Sequence, residues 1–150
     1  MSDDAVGELL RSEMLQRAGL VVVDSTLPAH TPPPMTAWRP VVSGDAVPTA
    51  TVPYRPDLGH LTDVDRQWES LAEQHRLFDD NGVFLISVGV ASVSALPWAH
   101  VRRAGKLSLA QHLSEYPGEP EFVAMSTDAR TICAATSEEY DVWLLAIALS

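Results

Sequence analysis

The stretch 122–149, FVAMSTDARTICAATSEEYDVWLLAIAL, decides the fold class. Three runs within it, Phe122–Ser126, Thr131–Thr136 and Tyr140–Leu149, are rich in apolar and β-branched residues. Thr127-Asp128-Ala129-Arg130 supplies turn chemistry between the first two, and Glu138-Glu139-Tyr140-Asp141 falls between the last two. Short strand-like runs joined by polar turns read as a β-meander.

Working back from the meander, Leu109, Leu113 and Tyr116 recur at helical spacing over Lys106 to Tyr116, before Pro117-Gly118. Val83 to Leu96 alternates apolar and polar residues with a phase change, which places a bulge or turn near Gly89. The clearest helix is expected over Asp63–Phe78, with Leu61 and Thr62 at its entrance. Its inner stripe would be Val64, Trp68, Leu71, Ala72, His75 and Phe78, and its outer face Asp65, Glu69, Glu73 and Arg76. An N-terminal helix, capped by Asp3 or Asp4, would bury Val6, Leu9, Leu10 and Met14 and stop at Gly19. Leu20-Val21-Val22-Val23 then reads as a buried strand ended by Asp24. Two or three helices with a mainly antiparallel sheet make this an α+β chain, 1–150 forming a single compact domain.

Eight of the eleven prolines lie between Pro28 and Pro56. Proline lacks an N–H and fixes φ, so residues 27–58 are expected to form a long extended connector. Trp38, Val41, Val42 and Tyr54 would anchor it. Pro53-x-x-Pro56 has the spacing of a polyproline ligand, a pattern that any proline-rich loop produces by chance.

The chain carries 20 acidic and 10 basic residues, a formal net charge of −10. Residues 111–150 hold seven of the acids and only Arg130 among the bases, a net of −6. Phosphate binding needs a basic footprint, so nucleic acid is not the expected partner. Nine of the ten bases are Arg, which fits a GC-rich bacterial coding bias. The acidic Met1-Ser2-Asp3-Asp4 start is unlike a secretory signal, which points to a cytoplasmic protein. The charge-free run 81–101 is diluted by Ser, Gly and Pro and reads as buried strands rather than a membrane span.

No phosphate loop, dinucleotide fingerprint, GxSxG elbow or HExxH pair occurs in the sequence. Cys133, the single cysteine, sits among small apolar neighbours and reads as a buried hydrophobe. Asp57, His60, Asp63, Asp65, Glu69, Glu73 and His75 form the densest titratable cluster. A His beside a carboxylate could act as a general base, and His60 with Asp63 could ligate a metal. The position of the two aspartates at a helix start explains them equally well, however. No cofactor is expected. Trp98 with Arg102, Arg103 and Lys106 is the one basic cluster and reads as a solvated turn.

The acidic C-terminal loops outweigh these candidates. Glu138, Glu139, Tyr140 and Asp141, with Tyr116 and Glu119 beside them, would form a negative patch if both loops lie at one end of the sheet. Such a patch steers basic partners, and tyrosine adds rigid contact area. The leading expectation is a non-enzymatic module that binds a basic protein, for instance an immunity- or antitoxin-like inhibitor or an adaptor. Its rivals are a small enzyme using the 57–75 cluster and a structural subunit of a larger assembly. The subunit reading expects an exposed apolar patch of several hundred Å² along the 27–58 connector, and a homo-oligomer or complex in solution.

Overall fold

In the computed structural model, which describes residues 3–23 and 27–149, thirteen elements follow one another. They are α1 (Asp3–Arg17), β1 (Leu20–Val22), α2 (Pro34–Val42), β2 (Ala50–Pro53), α3 (His60–Gln74), β3 (Val83–Val88) and β4 (Ala99–Arg103). Then come α4 (Leu109–His112), β5 (Ser114–Tyr116), β6 (Glu119–Pro120), β7 (Phe122–Met125), β8 (Thr131–Ser137) and β9 (Asp141–Ala148). The side chains of Asp3 and Asp4, and Asp24 itself, lie outside the described residues, and with them the expected cap of α1 and end of β1.

Seven strands make one antiparallel sheet in the order β1-β4-β3-β7-β8-β9-β2, and β5 pairs with β6 separately. The chain is therefore α+β with the expected C-terminal meander. Successive side chains of a strand point to opposite faces. Phe122, Ala124, Cys133, Ala135, Val142 and Leu144 accordingly share the core that holds Leu15, Trp68, Leu71 and Leu109, from α1, α3 and α4. Val123, Met125, Ile132, Ala134 and Leu145 face the other way, against Ala37 and Val41 of α2, with Trp98. Because both faces are covered, β7 and most of β8 are buried at every position, which explains their unbroken apolar runs.

Trp68 of α3 is the centre of the larger core. Its ring meets Phe122 edge-on at 5.5 Å and Phe78 at 6.1 Å, and its indole N–H donates to the Cys133 carbonyl at 3.3 Å. At the rim, Arg103 of β4 forks onto Glu69 and Glu73 of α3, with its guanidinium 4.5 Å over the Phe78 ring. Ion pair and cation–π contact together tie helix to sheet. The segment expected to be a solvated basic turn thus lies partly in β4, between β1 and β3.

Several elements differ from the sequence reading. The 27–58 segment is not simply extended: Pro34 opens α2 at a position where a missing N–H costs nothing, and β2 forms a sheet edge on β9. Trp38, Val41 and Tyr54 do anchor the segment, whereas Val42 is exposed. Helix α3 starts at His60, three residues early and without a side-chain cap. Asp65 turns inward: its carboxylate accepts the Ala110 N–H at 2.6 Å, at the start of α4. His75 follows α3 and is exposed. Beyond Gly89 there is no second strand to Leu96; Val90, Val93 and Leu96 are buried every third residue by successive turns. Gly89 is needed there, since a Cβ would stand 2.9 Å from that of Glu121 and 3.0 Å from the Trp38 ring. The 106–116 helix shrinks to the single turn α4, because Ser114–Tyr116 pairs with β6 instead.

The N-terminus departs most. Gly19 ends α1 at φ +94°, with the Lys106 carbonyl where a Cβ would go, as expected of a C-terminal glycine. The buried face of α1 is nevertheless Gly7 and Leu15, with Ala18 buried just past its end and Arg11 donating to the Pro97 carbonyl at 2.6 Å. Val6, Leu9 and Leu10 are exposed, Leu9 by 65%, and only Met14 packs partly inward. β1 is likewise an edge strand whose Val21 and Val22 are exposed rather than buried. Close approach of Gly7 to the 92–96 turn sets the helix rotation, which hydrophobic spacing alone does not encode.

Candidate functional site

The two acidic loops meet at one end of the sheet. Tyr116 ends β5 and Glu119 begins β6, while Glu138, Glu139 and Tyr140 form the turn from β8 to β9, and Asp141 begins β9. A side-chain bond ties the loops together, the Ser137 hydroxyl donating to the Pro120 carbonyl at 2.7 Å, and the Tyr54 hydroxyl, from just past the end of β2, donates to the Glu138 carbonyl at 2.6 Å. Tyr116 and Tyr140 stand out into solvent, 63% and 77% exposed.

Charge at this end is one-sided. The ion pairs among the described residues, Arg55–Asp57, Arg66–Asp63 and Arg103 with Glu69 and Glu73, draw on acids between 57 and 73. The carboxylates of the two loops enter none of them. Glu121, just before β7, accepts the Ser137 N–H at 2.6 Å. Burial, with the nearby charges of Glu138 and Glu119 adding to it, pushes its carboxyl up to about 7. Burial also raises the Tyr54 phenol, again with Glu119, Glu138 and Asp141 close by.

Two hollows flank the β8–β9 turn. One, of about 310 Å³, lies between Tyr54, Leu58 and His60 on one side and Pro117, Glu119 and Glu139 on the other. His60 is its buried floor. Its Nδ1 accepts the Arg55 N–H at 3.0 Å and its Nε2–H donates to the Gly118 carbonyl at 2.8 Å, so both ring nitrogens are held by backbone. The other hollow, of about 210 Å³, lies on the opposite face of the sheet. Val41, Val42 and Ser43 at the end of α2 form one wall; Glu121, Thr136, Glu138 and Trp143 form the rest.

The 57–75 cluster does not converge. Asp57 accepts the Gly59 N–H and pairs with Arg55, Asp63 pairs with Arg66, Asp65 supports α4, and Glu69 and Glu73 hold Arg103. His75 contributes its carbonyl, which accepts the Thr131 hydroxyl at 3.3 Å. Among the described residues no three His, Cys, Asp or Glu side chains are grouped to hold a metal ion. Cys133 is fully buried, and burial pushes its thiol up to about 12. No described helix is long and apolar enough to cross a membrane.

Sequence reasoning had named the loop residues but missed Thr136, Trp143 and Tyr54 as their companions. Strand alternation carried the signal for the first two: Thr136 faces the same way as Ile132 and Ala134, and Trp143 the same way as Leu145. The approach of α2 that turns this face into a hollow had no local signature. Comparison with protein-family models, with curated proteins and with solved structures finds no match to this chain.

Proposed function

We propose that the chain is a protein-docking module whose acidic end receives a basic protein partner. The observation that carries this reading is the set of loop carboxylates left out of the ion pairs among the described residues, gathered around two exposed tyrosines. Like charges held together raise the energy of the free protein, and a basic partner relieves that energy on binding. Glu138, Glu139, Tyr140 and Asp141 are the central contacts, with Tyr116 and Glu119 beside them. Complementary charge acts mainly on the association rate, so capture weakens with salt. Reversing Glu138 and Glu139 to Lys is expected to lower native partner capture about tenfold or more at physiological salt. Capture unchanged by the double reversal removes this end of the molecule as the docking face.

A second reading, a subunit of a larger assembly, has its own support. Val6, Leu9 and Leu10 on α1 and Val21 and Val22 on the β1 edge are exposed apolar groups at the opposite end of the chain order. Apolar surface of this kind is characteristic of covered interfaces, and an open edge strand invites pairing. Under this reading the 16.3 kDa chain sediments above its monomer mass at tens of micromolar, and Leu9→Glu returns it to monomer. A native chain that sediments as a monomer throughout leaves self-assembly without support.

A further inference from the structure

We propose that the 210 Å³ hollow at the end of α2 is a socket for one arginine side chain of the basic partner, an inference that rests on the docking function above. Its size comes first. Pockets for drug-sized ligands and cofactors run to about 300–1,000 Å³, so this one suits a single side chain.

Its lining chooses the chemistry. Glu121 and Glu138 place two carboxylates around it. Val41, Val42 and Ser43 bring the C-terminal end of a nine-residue helix, where the carbonyl dipoles point negative. The Trp143 ring adds a π face, the strongest aromatic partner for a guanidinium. Trp38, Trp68 and Trp98 donate their indole N–H groups to Ser87, Cys133 and Pro32, whereas Trp143 donates to nothing among the described residues. Every charged or dipolar element of the wall therefore favours a cation.

Thr136 is an independent sign of a missing ligand. The residue is 4% exposed, lines the hollow, and its hydroxyl oxygen has no hydrogen-bond partner among the described residues. Buried hydroxyls are nearly always satisfied, because an orphan forfeits its hydration. A guanidinium carries five N–H donors in a planar fork, enough to reach a carboxylate and a hydroxyl oxygen together while lying on an indole. A lysine ammonium offers three donors from a point and cannot stack, so arginine is the better occupant.

The test uses the full chain with N-acetyl-arginine methylamide as probe and the isosteric, uncharged N-acetyl-citrulline methylamide as control. Backbone and indole NMR shifts of Thr136, Ser137 and Trp143 are followed during titration. The arginine probe is expected to saturate at roughly millimolar concentration, and the citrulline probe to bind about tenfold more weakly or worse. Thr136→Val should weaken arginine binding about tenfold without lowering the melting temperature, since it deletes an unpartnered hydroxyl. A purely structural threonine would give the reverse pattern. Should that variant fail to fold, Glu138→Gln at the exposed rim gives the same reading, with an expected loss of at least about threefold.

Equal binding of the two probes, shifts confined to other surfaces, or binding indifferent to both substitutions overturns the socket. Docking and socket fail separately. Partner capture lost in the Glu138/Glu139 reversal, with no arginine binding, removes the socket alone. Arginine binding with capture untouched by that reversal removes the docking face instead.

Discussion

Trp68→Ala is expected to be the most damaging single substitution, lowering stability by about 3–5 kcal/mol. The indole fills the space between α3 and the meander, touching Phe78, Phe84 and Phe122, and it is almost fully buried. Removal leaves a cavity walled by three aromatic rings, which are fixed from behind by β3, β7 and the chain after α3. Collapse into the void is therefore limited, and the cost falls in the upper part of the range for large-to-small changes. The lost N–H also strips a partner from the Cys133 carbonyl, although that carbonyl lies within the sheet. A domain of this size has a total stability of roughly 5–15 kcal/mol, so the variant should be partly unfolded at physiological temperature. Urea unfolding followed by far-UV circular dichroism gives the number directly. Trp68→Phe keeps most of the ring contacts and should cost about half as much or less. A Trp68→Ala midpoint equal to that of the native chain would mean that α3 does not pack as described.

The position of Trp68 was readable from the sequence, and the reason separates what was legible from what was not. Val64, Trp68, Leu71 and Ala72 follow helical spacing, and Phe122–Leu149 follows strand and turn chemistry, so local periodicity was enough for α3 and the meander. Periodicity failed where a tertiary contact chose the outcome. Leu9 and Val6 lie on the more apolar stripe of α1, yet the helix turns Gly7 to the core, where an added Cβ would stand a tight 3.2 Å from the Ser92 carbonyl. Asp65 looked like an ordinary surface carboxylate at a helix start, but it serves the N-terminus of a different helix, forty-five residues on. The proline-rich segment held a helix because Pro34 falls at its first position, where proline is favoured. For the candidate site, the residue types of both acidic loops were visible, whereas their meeting at one end of the sheet rests on the Ser137–Pro120 contact, which has no local signature. The socket was not visible, since its α2 wall comes from a segment far earlier in the chain than the strands and loops that complete it.

Stability is expected to fall by about 2–3 kcal/mol between pH 5 and pH 8, the reverse of the usual acid lability. Burial pushes the Asp65 carboxyl up to about 6 from 3.8, even with the Ala110 N–H and the Gln111 side chain opposing the shift and the charge of Glu69 adding slightly to it. Burial likewise raises Glu121 to about 7 from 4.5, with Glu138 and Glu119 contributing. In the window between ordinary and raised values the folded state holds protons that the unfolded chain has released. Raising the pH through that window therefore favours unfolding, by roughly 1.4 kcal/mol per pH unit for a fully shielded group and less for Glu121, which water partly screens. Asp57 and Asp128 are lowered, Asp57 chiefly by the Gly59 N–H and Asp128 chiefly by the Ser126 hydroxyl, so their contribution is lost only below their ordinary value of 3.8. The optimum should accordingly lie near pH 4–5. Urea unfolding at pH 5 and pH 8 measures the difference, and Glu121→Gln, which keeps an acceptor for the Ser137 N–H, should remove about half of it. Stability that is flat or rises over this interval would show that neither carboxyl is shielded as the structure places it. A guanidinium in the socket favours ionised Glu121, so saturating arginine probe should raise stability more at pH 8 than at pH 5. The same titration thus links the energy stored in the acidic end to the ligand that would release it.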